Sequence, residues 1–523
     1  MRRAWIATLF LLLGLMVACQ TPAGENGDGT ESAPNSTDTP AAAPATEPAT
    51  DPSTPETATA EPAGTARELT ILYTNDEHGW MEGTEPDAGA ANLLGLWQTE
   101  EGYDPDGNFL LLSGGDLWTG PAISTWFAGQ SMVEVMNVMG YDAAAVGNHE
   151  FDFGLDVLQD HIAASSFPLL SANLRYRADG STPFDLGVLP YVVQEVNGIQ
   201  VGLIGLTTTD TPSTTKPDNV SDFEFIPYEE ALREVVPQAR ADGAQLLLVP
   251  AHICRDELTR LARDVADLGI HMMGGGHCNE LFTDMVGDIL LMEGGASLAT
   301  YARAEISYNP ATDEMTVLDA GVRFNSGGAA AAEVSAVVAR WQAMAEAELD
   351  VVIGYSEAGV ARRSQAMQDL IVASWLEAYP AADIALTNFG GMRADIPPGE
   401  ITVGTIVGVM PFDNVIVEVL LTGAELEDVL AGRQDNTAAG GIYFAGGRWL
   451  LTATDAPPDP DALYSVLVND FMYTGGDGYR FQAFDPEGYD TSIHWRQPVI
   501  DWIMRQGSDA AQPLDAAIAA LGE

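Results

Sequence analysis

Five segments of the chain place Asp, His or Asn directly after an apolar run. They are LTILYTNDEHG, carrying Asp76 and His78; FLLLSGGD, carrying Asp116; AAAVGNHEFD, carrying Asn148, His149 and Asp152; QLLLVPAH, ending at His252; and IHMMGGGHCN, carrying His277 and Asn279. Carboxylate and amide oxygens together with imidazole nitrogens, and no thiolate, form a donor set for Zn²⁺, Mn²⁺ or a similar divalent ion rather than a structural cysteine zinc site. Each piece alone has an ordinary explanation. D-x-H occurs by chance, an Asp after Gly-Gly is commonly a turn or cap, and a His at a strand end is commonly satisfied by hydrogen bonds. His161, His271 and His494 are left in that ordinary class. Recurrence of the pattern after the same kind of run, in one part of the chain, points instead to a centre holding two ions. Two cations about 4 Å apart activate a water and neutralise charge on a transferring phosphoryl group.

The elements that must position these residues follow from the runs themselves. Short apolar stretches bounded by Gly or polar residues read as buried parallel strands. Ligands of an open α/β sheet lie beyond the carboxyl ends of its strands, so the five ends are expected at one edge. Residues two apart along a strand share a side, which would give Asp76 and His78 one ion and turn Glu77 away. The two glycines before Asp116 permit close backbone approach, and one carboxylate there could bridge both ions. Helical stretches at Trp126 to Gly140 and Tyr228 to Gly243 alternate with the strands, so residues 67–328 read as a layered α/β domain. After a Gly/Ala-rich break, Val334, Val337, Val338 and Trp341 recur at helical spacing, and residues 329–350 read as a linker helix. Residues 351–523 read as a second α/β domain, with helices at MQDLIVASWLEAY and GAELEDVLAG and strands at DIALTNF, VIVEVLL and LYSVLVNDF.

Composition narrows the partners. The 523 residues carry 22 basic against 76 acidic side chains, a formal net charge of −54, and Lys216 is the only lysine. Such a surface repels nucleic-acid polymers. A salt-rich habitat accounts for the acidic excess, whereas a GC-rich genome accounts only for the missing lysine. At the amino terminus, Arg2 and Arg3 precede a short apolar core and then Leu-Met-Val-Ala-Cys ending at Cys19. Residues 1–18 resemble a bacterial lipoprotein signal peptide, with Cys19 the lipidated residue. Residues 19–66 are a Thr/Pro/Ala-rich tether with too few large apolar residues to fold. The expectation is an exported protein, cell-surface or periplasmic and lipid-anchored to a membrane. Cys254 and Cys278 each lie beside a proposed ligand, so those strand ends should be close; a disulfide and two small buried thiols both fit.

The motifs TNDEHG, GGD, GNHEFD, PAH and GGHCN resemble, in order, the metallophosphoesterase motifs of the 5′-nucleotidase family, and GNHEFD is the most specific of them. The resemblance spans about Arg67 to Gln506. It implies an N-terminal α/β-β metallophosphoesterase domain and a second, substrate-binding α/β domain. It makes Asp76, His78, Asp116 and Asn279 ligands of one ion, and Asp116, Asn148, His252 and His277 ligands of the other. His149, oriented by Asp152, would stabilise charge on phosphate. ALTNFGGMRADI, VMPFDN and NDFMYTGGDGY resemble the family's nucleotide-binding motifs. They imply that Phe412 and Phe471 sandwich a base, that Asn388 and Arg393 contact substrate, and that Asp477 binds ribose hydroxyls. A further substrate arginine, Arg362 or Arg363, precedes the following helix. The implied activity is release of phosphate from nucleoside 5′-monophosphates by a water activated on two divalent ions, in a monomer or homodimer. Hydrolysis of UDP-sugars or 2′,3′-cyclic nucleotides on the same ions is the nearer alternative, and a non-catalytic nucleotide-binding lipoprotein the more distant one.

Overall fold

The computed structural model describes residues 65–522, so the signal segment, Cys19 and the tether up to residue 64 lie outside the described residues. Its N-terminal lobe is built on two six-stranded sheets packed face to face with helices outside them. In the first sheet β1 (Arg67–Thr74), β2 (Phe109–Ser113) and β3 (Ala143–Ala145) run parallel as neighbours. The second sheet holds β4 (Leu246–Pro250) and β5 (Met272–Gly274), also parallel neighbours. The five runs are therefore strands of two sheets, not the single sheet edge the apolar patterning suggests. Burial on both faces explains why the runs are continuous. Along β1, Leu69, Ile71 and Tyr73 enter the core between the sheets, while Leu72 faces the helix layer. The two sheets end at one place because they are tied there: the Tyr73 hydroxyl donates to the Gly275 carbonyl across the gap at 2.9 Å.

One helix is shorter than its sequence suggests. The stretch from Trp126 becomes a continuous helix only at Gln130–Met139, because Ala128 and Gly129 take left-handed backbone. Gly129 is required there, since a Cβ would lie 2.5 Å from Trp118. The helix Tyr228–Ala241 matches its stretch closely.

Helix Ala332–Leu349 buries Val334, Val337, Trp341, Ala345 and Leu349 along one face. Trp341 packs on Phe127 and donates to Glu134, so this helix is docked on the N-terminal lobe. Beyond it, a five-stranded sheet centres on β6 (Ile384–Asn388), β7 (Val415–Thr422) and β8 (Leu463–Asn469), with helix Gln365–Ala378 packed against it. Its residues form two cores of their own. No helix among the described residues is long and apolar enough to cross a membrane.

Candidate active site

Asp76 and His78 do not sit on a strand. β1 stops at Thr74, and both residues take left-handed backbone, with φ of 50° and 47°. Their convergence therefore comes from a tight loop and not from strand alternation. Asp116 (φ 62°), His277 (φ 75°) and Asn279 (φ 57°) share this conformation, which costs a non-glycine residue free energy and gathers at functional sites. Buried polar groups hold the loops in place. Glu150 accepts from the backbone N–H groups of Asp116 (2.9 Å), Leu117 (2.8 Å) and Gly147 (2.5 Å), welding the β2 and β3 loops together. Burial and the nearby Asp116 push its carboxyl up to about 7. Glu77 does turn away from the ligands, into the protein, where it accepts from Thr74 and Ser113. Asn75 donates to Asp76 Oδ2 at 2.7 Å and accepts from Gly294 N–H at 2.7 Å. Patterning turns Glu77 away from the ligands but gives no sign of Glu150 or Asn75 as supports, although each lies within or beside a motif.

The donor atoms fall into two groups that share Asp116. One joins it to His78 and His149, the other to His252 and His277, with the atoms of each group within 4.8 Å of one another. Asp116 Oδ2 lies 3.0 Å from His252 Nε2 and 3.9 Å from His78 Nε2. Asp76 Oδ1 lies 3.8 Å from the same His78 nitrogen, and Asn148 Oδ1 lies 3.2 Å from His252 Nε2. His252 Nδ1 meets the Gly114 carbonyl at 2.8 Å and His78 Nδ1 meets the Thr119 carbonyl at 3.0 Å, so both rings aim Nε2 inward. His277 Nδ1 then faces His252 Nε2 at 3.2 Å. A shared proton suffices to join these two ring nitrogens, and with the two carboxylates beside them the donor set also fits divalent ions. Asn279 stands at the exposed rim, lining the cavity beside His277.

The electrostatics agree with that fit. Burial opposes charge on Asp116, yet the adjacent His252 and His149 hold its carboxyl well below the usual range. Burial likewise opposes the His252 imidazolium, and Asp116, Asp76 and Glu150 overcome it, raising the group to about 10. The acidic cluster thus demands positive charge at that nitrogen, whether a proton or an ion. Burial and neighbouring His252 press His277 down to about 4, leaving it a neutral donor. His149 is raised despite burial, because Asp152 and Asp116 favour its charged form. Its Nδ1 is 2.7 Å from Asp152 Oδ2, while Thr215 donates to Asp152 Oδ1 at 2.9 Å.

A cavity of about 610 Å³ opens over these groups and is lined from the other lobe by Asn388, Arg393, Phe412, Phe471 and Asp477. Phe412 stacks on His149 with centroids 5.8 Å apart, and the Arg393 guanidinium lies 5.7 Å from the Phe412 centroid. Arg393 Nη2 also reaches within 3.4 Å of His78 Nε2. Asn388 donates to Asp477 Oδ2 at 2.7 Å. Phe471 rests on Gly476, where a Cβ would lie 2.4 Å from the ring. Arg363 stands apart from this group. With Arg362 it lines an adjoining cavity of about 530 Å³ that also touches His78, Asn279 and Arg393. Left-handed backbone (φ 61°) and a 3.2 Å hydrogen bond to the Phe389 carbonyl hold it there.

Cys254 and Cys278 are joined in a disulfide, which resolves the choice left open by the sequence. The histidines outside the centre are packed or paired: His161 against Trp118, His271 beside Asp313, and His494 on Asp413.

Comparison with known proteins is consistent with this geometry. Residues 346–486 match the family model described as "5'-nucleotidase, C-terminal domain". Over 86% of its length the chain is 26% identical to Protein UshA of Yersinia enterocolitica, covering 92% of that protein. It is 27% identical to a 5'-nucleotidase of Vibrio cholerae, over 81% of this chain and 87% of the other. A 25% match to Cell wall protein Lmo0130 of Listeria monocytogenes spans 83% of this chain but 66% of that longer protein. The fold superposes on the 5'-nucleotidase precursor of Thermus thermophilus with a TM-score of 0.73 at 24% identity, covering 85% of this chain and 97% of that one. The C-terminal lobe thus carries a 5'-nucleotidase C-terminal domain, and over both lobes the chain resembles 5′-nucleotidases in sequence and fold.

Proposed function

We propose that this protein is an exported, lipid-anchored phosphohydrolase that releases phosphate from nucleoside 5′-monophosphates. The observation that carries the reading is the pair of donor groups sharing Asp116 at the floor of a cavity whose other wall is aromatic and polar. Asp76, His78, Asp116 and Asn279 would hold one divalent ion, and Asp116, Asn148, His252 and His277 the other, Zn²⁺ or Mn²⁺ in each case. When bound, the ions supply charge neutralisation at phosphate and activation of water. His149, kept charged by Asp152, donates to a phosphate oxygen as negative charge builds there. Arg393 adds a fixed positive charge over the same space. Phe412 and Phe471 accept the base by stacking, which tolerates any base because each has a π-face. Asp477, backed by Asn388, accepts from ribose hydroxyls. Among the relatives, names such as 5'-nucleotidase and cell wall protein support both the reaction and a location outside the cytoplasm. Attachment through Cys19, and a monomeric or dimeric state, complete the reading.

A relative in Bacillus subtilis is named a trifunctional nucleotide phosphoesterase, so the substrate test includes other esters. Hydrolysis of AMP (read as phosphate), of UDP-glucose (read as UMP and glucose 1-phosphate) and of a 2′,3′-cyclic nucleotide (read as nucleoside monophosphate) is compared with Mn²⁺, Zn²⁺ and chelator. AMP should be the preferred substrate, with activity lost to chelator and restored by metal. Metal-loaded protein that binds AMP and leaves it intact would make it a nucleotide-binding lipoprotein.

A further inference from the structure

Three consecutive residues each grip a different part of the cavity. The carbonyl of Thr214 accepts from Asn148 Nδ2 at 3.1 Å, orienting a proposed ligand. Thr215 donates to Asp152 Oδ1, the carboxylate that orients His149. Lys216 reaches across to the other lobe, where its Nζ lies 2.7 Å from Asp470 Oδ2. Asp470 also accepts from the backbone N–H of Phe471 through Oδ1 at 3.0 Å, so the lysine holds the turn that presents the aromatic ring. The short helix Thr211–Thr214 packs against the Gly476–Gly478 turn, which carries Asp477. Asn219, just beyond, donates to the Phe151 carbonyl at 2.8 Å and fixes the GNHEFD loop from the same side.

We propose that Thr214-Thr215-Lys216 is a coupling element, with Lys216–Asp470 the latch that makes seating of Phe471 on a nucleotide and alignment of Asn148 and His149 one event. This rests on the nucleotide reading given above. Lys216 is a positioning residue: its amine touches Asp470 and acts through it. The pair is partly shielded, at 37% and 10% exposure, so its loss should matter more than that of a surface pair and less than that of a fully buried one. In a chain with one lysine and 76 acidic residues, cationic contacts between the lobes are otherwise left to arginine, and Lys216 lines the cavity itself.

Kinetics on AMP with Mn²⁺ test this in the full chain. Lys216→Gln and Asp470→Asn should each raise KM about fivefold, from the loss of one partly shielded pair. The double variant should be no worse than either single one, and Lys216→Arg should recover to within about twofold of wild type. An unchanged KM in Lys216→Gln, or losses that add in the double variant, would overturn the coupling. If wild type releases no phosphate from AMP, the nucleotide reading itself falls instead. A second measurement does not depend on kinetics or on Lys216 variants folding. Acylation of the single lysine, followed by mass spectrometry, should slow several-fold with Mn²⁺ and a non-hydrolysable AMP phosphonate, and the slowing should vanish in Asp470→Asn. Equal rates with and without the nucleotide analogue would also overturn it.

Discussion

In the N-terminal lobe each proposed ligand follows its strand within a few residues, and five of them take left-handed backbone. In the C-terminal lobe Phe412, Phe471 and Asp477 are scattered over loops and one short helix, and two of the key side chains lean on the opposite lobe: Phe412 on His149 and Arg393 on His78. The metal side is held largely from within, by Glu150, Glu77 and Asn75, and only its Asn148–His149 edge is tied to the other lobe, through Thr214, Thr215 and Lys216. The nucleotide side acquires part of its geometry from contact between lobes. Damage to the first should therefore appear in kcat or in metal content, and damage to the second in KM.

The sharpest way to break this division is His149→Asn. Loss of a preorganised donor should lower kcat for AMP by about 10²–10³ while the metal content measured by mass spectrometry stays at the wild-type value. A loss of bound metal in this variant would instead make His149 a ligand, a role its place beside Asp116 and His78 also permits. Next in size is the disulfide that staples the His252 loop to the His277 loop. Replacing Cys254 and Cys278 by serine should cost about 3 kcal/mol of stability in a denaturant titration and weaken metal binding by calorimetry. Phe471→Ala should raise KM for AMP by about thirtyfold, equivalent to about 2 kcal/mol of stacking, with metal content unaffected.

The smallest expected effect lies in the metal lobe, away from the ions. His161 is pressed down to about 4 by burial against Trp118. Its folded value is below the unfolded value of about 6.5, so the neutral ring's contribution is complete above pH 6.5 and is lost as pH falls from there toward 4. The loss should grow steadily through that window, and His161→Phe should flatten that part of the stability–pH curve. An equal decline in the variant would assign the acid sensitivity elsewhere.

Much of the candidate centre is legible in the sequence because each proposed ligand closely follows a run that has to be buried, so strand and candidate are written in one short segment. What the runs could not say is which sheet each strand joins, because burial on both faces looks the same in either sheet. The left-handed loops were nearly as silent: Asp76, His78 and Asp116 belong to types that tolerate positive φ, but that tolerance alone does not mark where it is used. Glu150 gives no sequence signal of its role, because a carboxylate inside a motif reads as a ligand or as solvated, not as a buried acceptor for three amides. The role of Lys216 is not written in its neighbourhood, since its partner lies 254 residues away. The cysteines were placed side by side correctly, but their spacing does not distinguish thiols from a bond.

Metal stoichiometry decides most directly whether one carboxylate organises two ions. Protein exchanged into Mn²⁺, freed of loose metal by gel filtration and analysed by mass spectrometry should carry two ions per chain. Asp116→Ala should retain at most one and release no phosphate from AMP. Wild-type protein that keeps a single ion, or an Asp116→Ala variant that keeps both, would contradict a shared dinuclear centre.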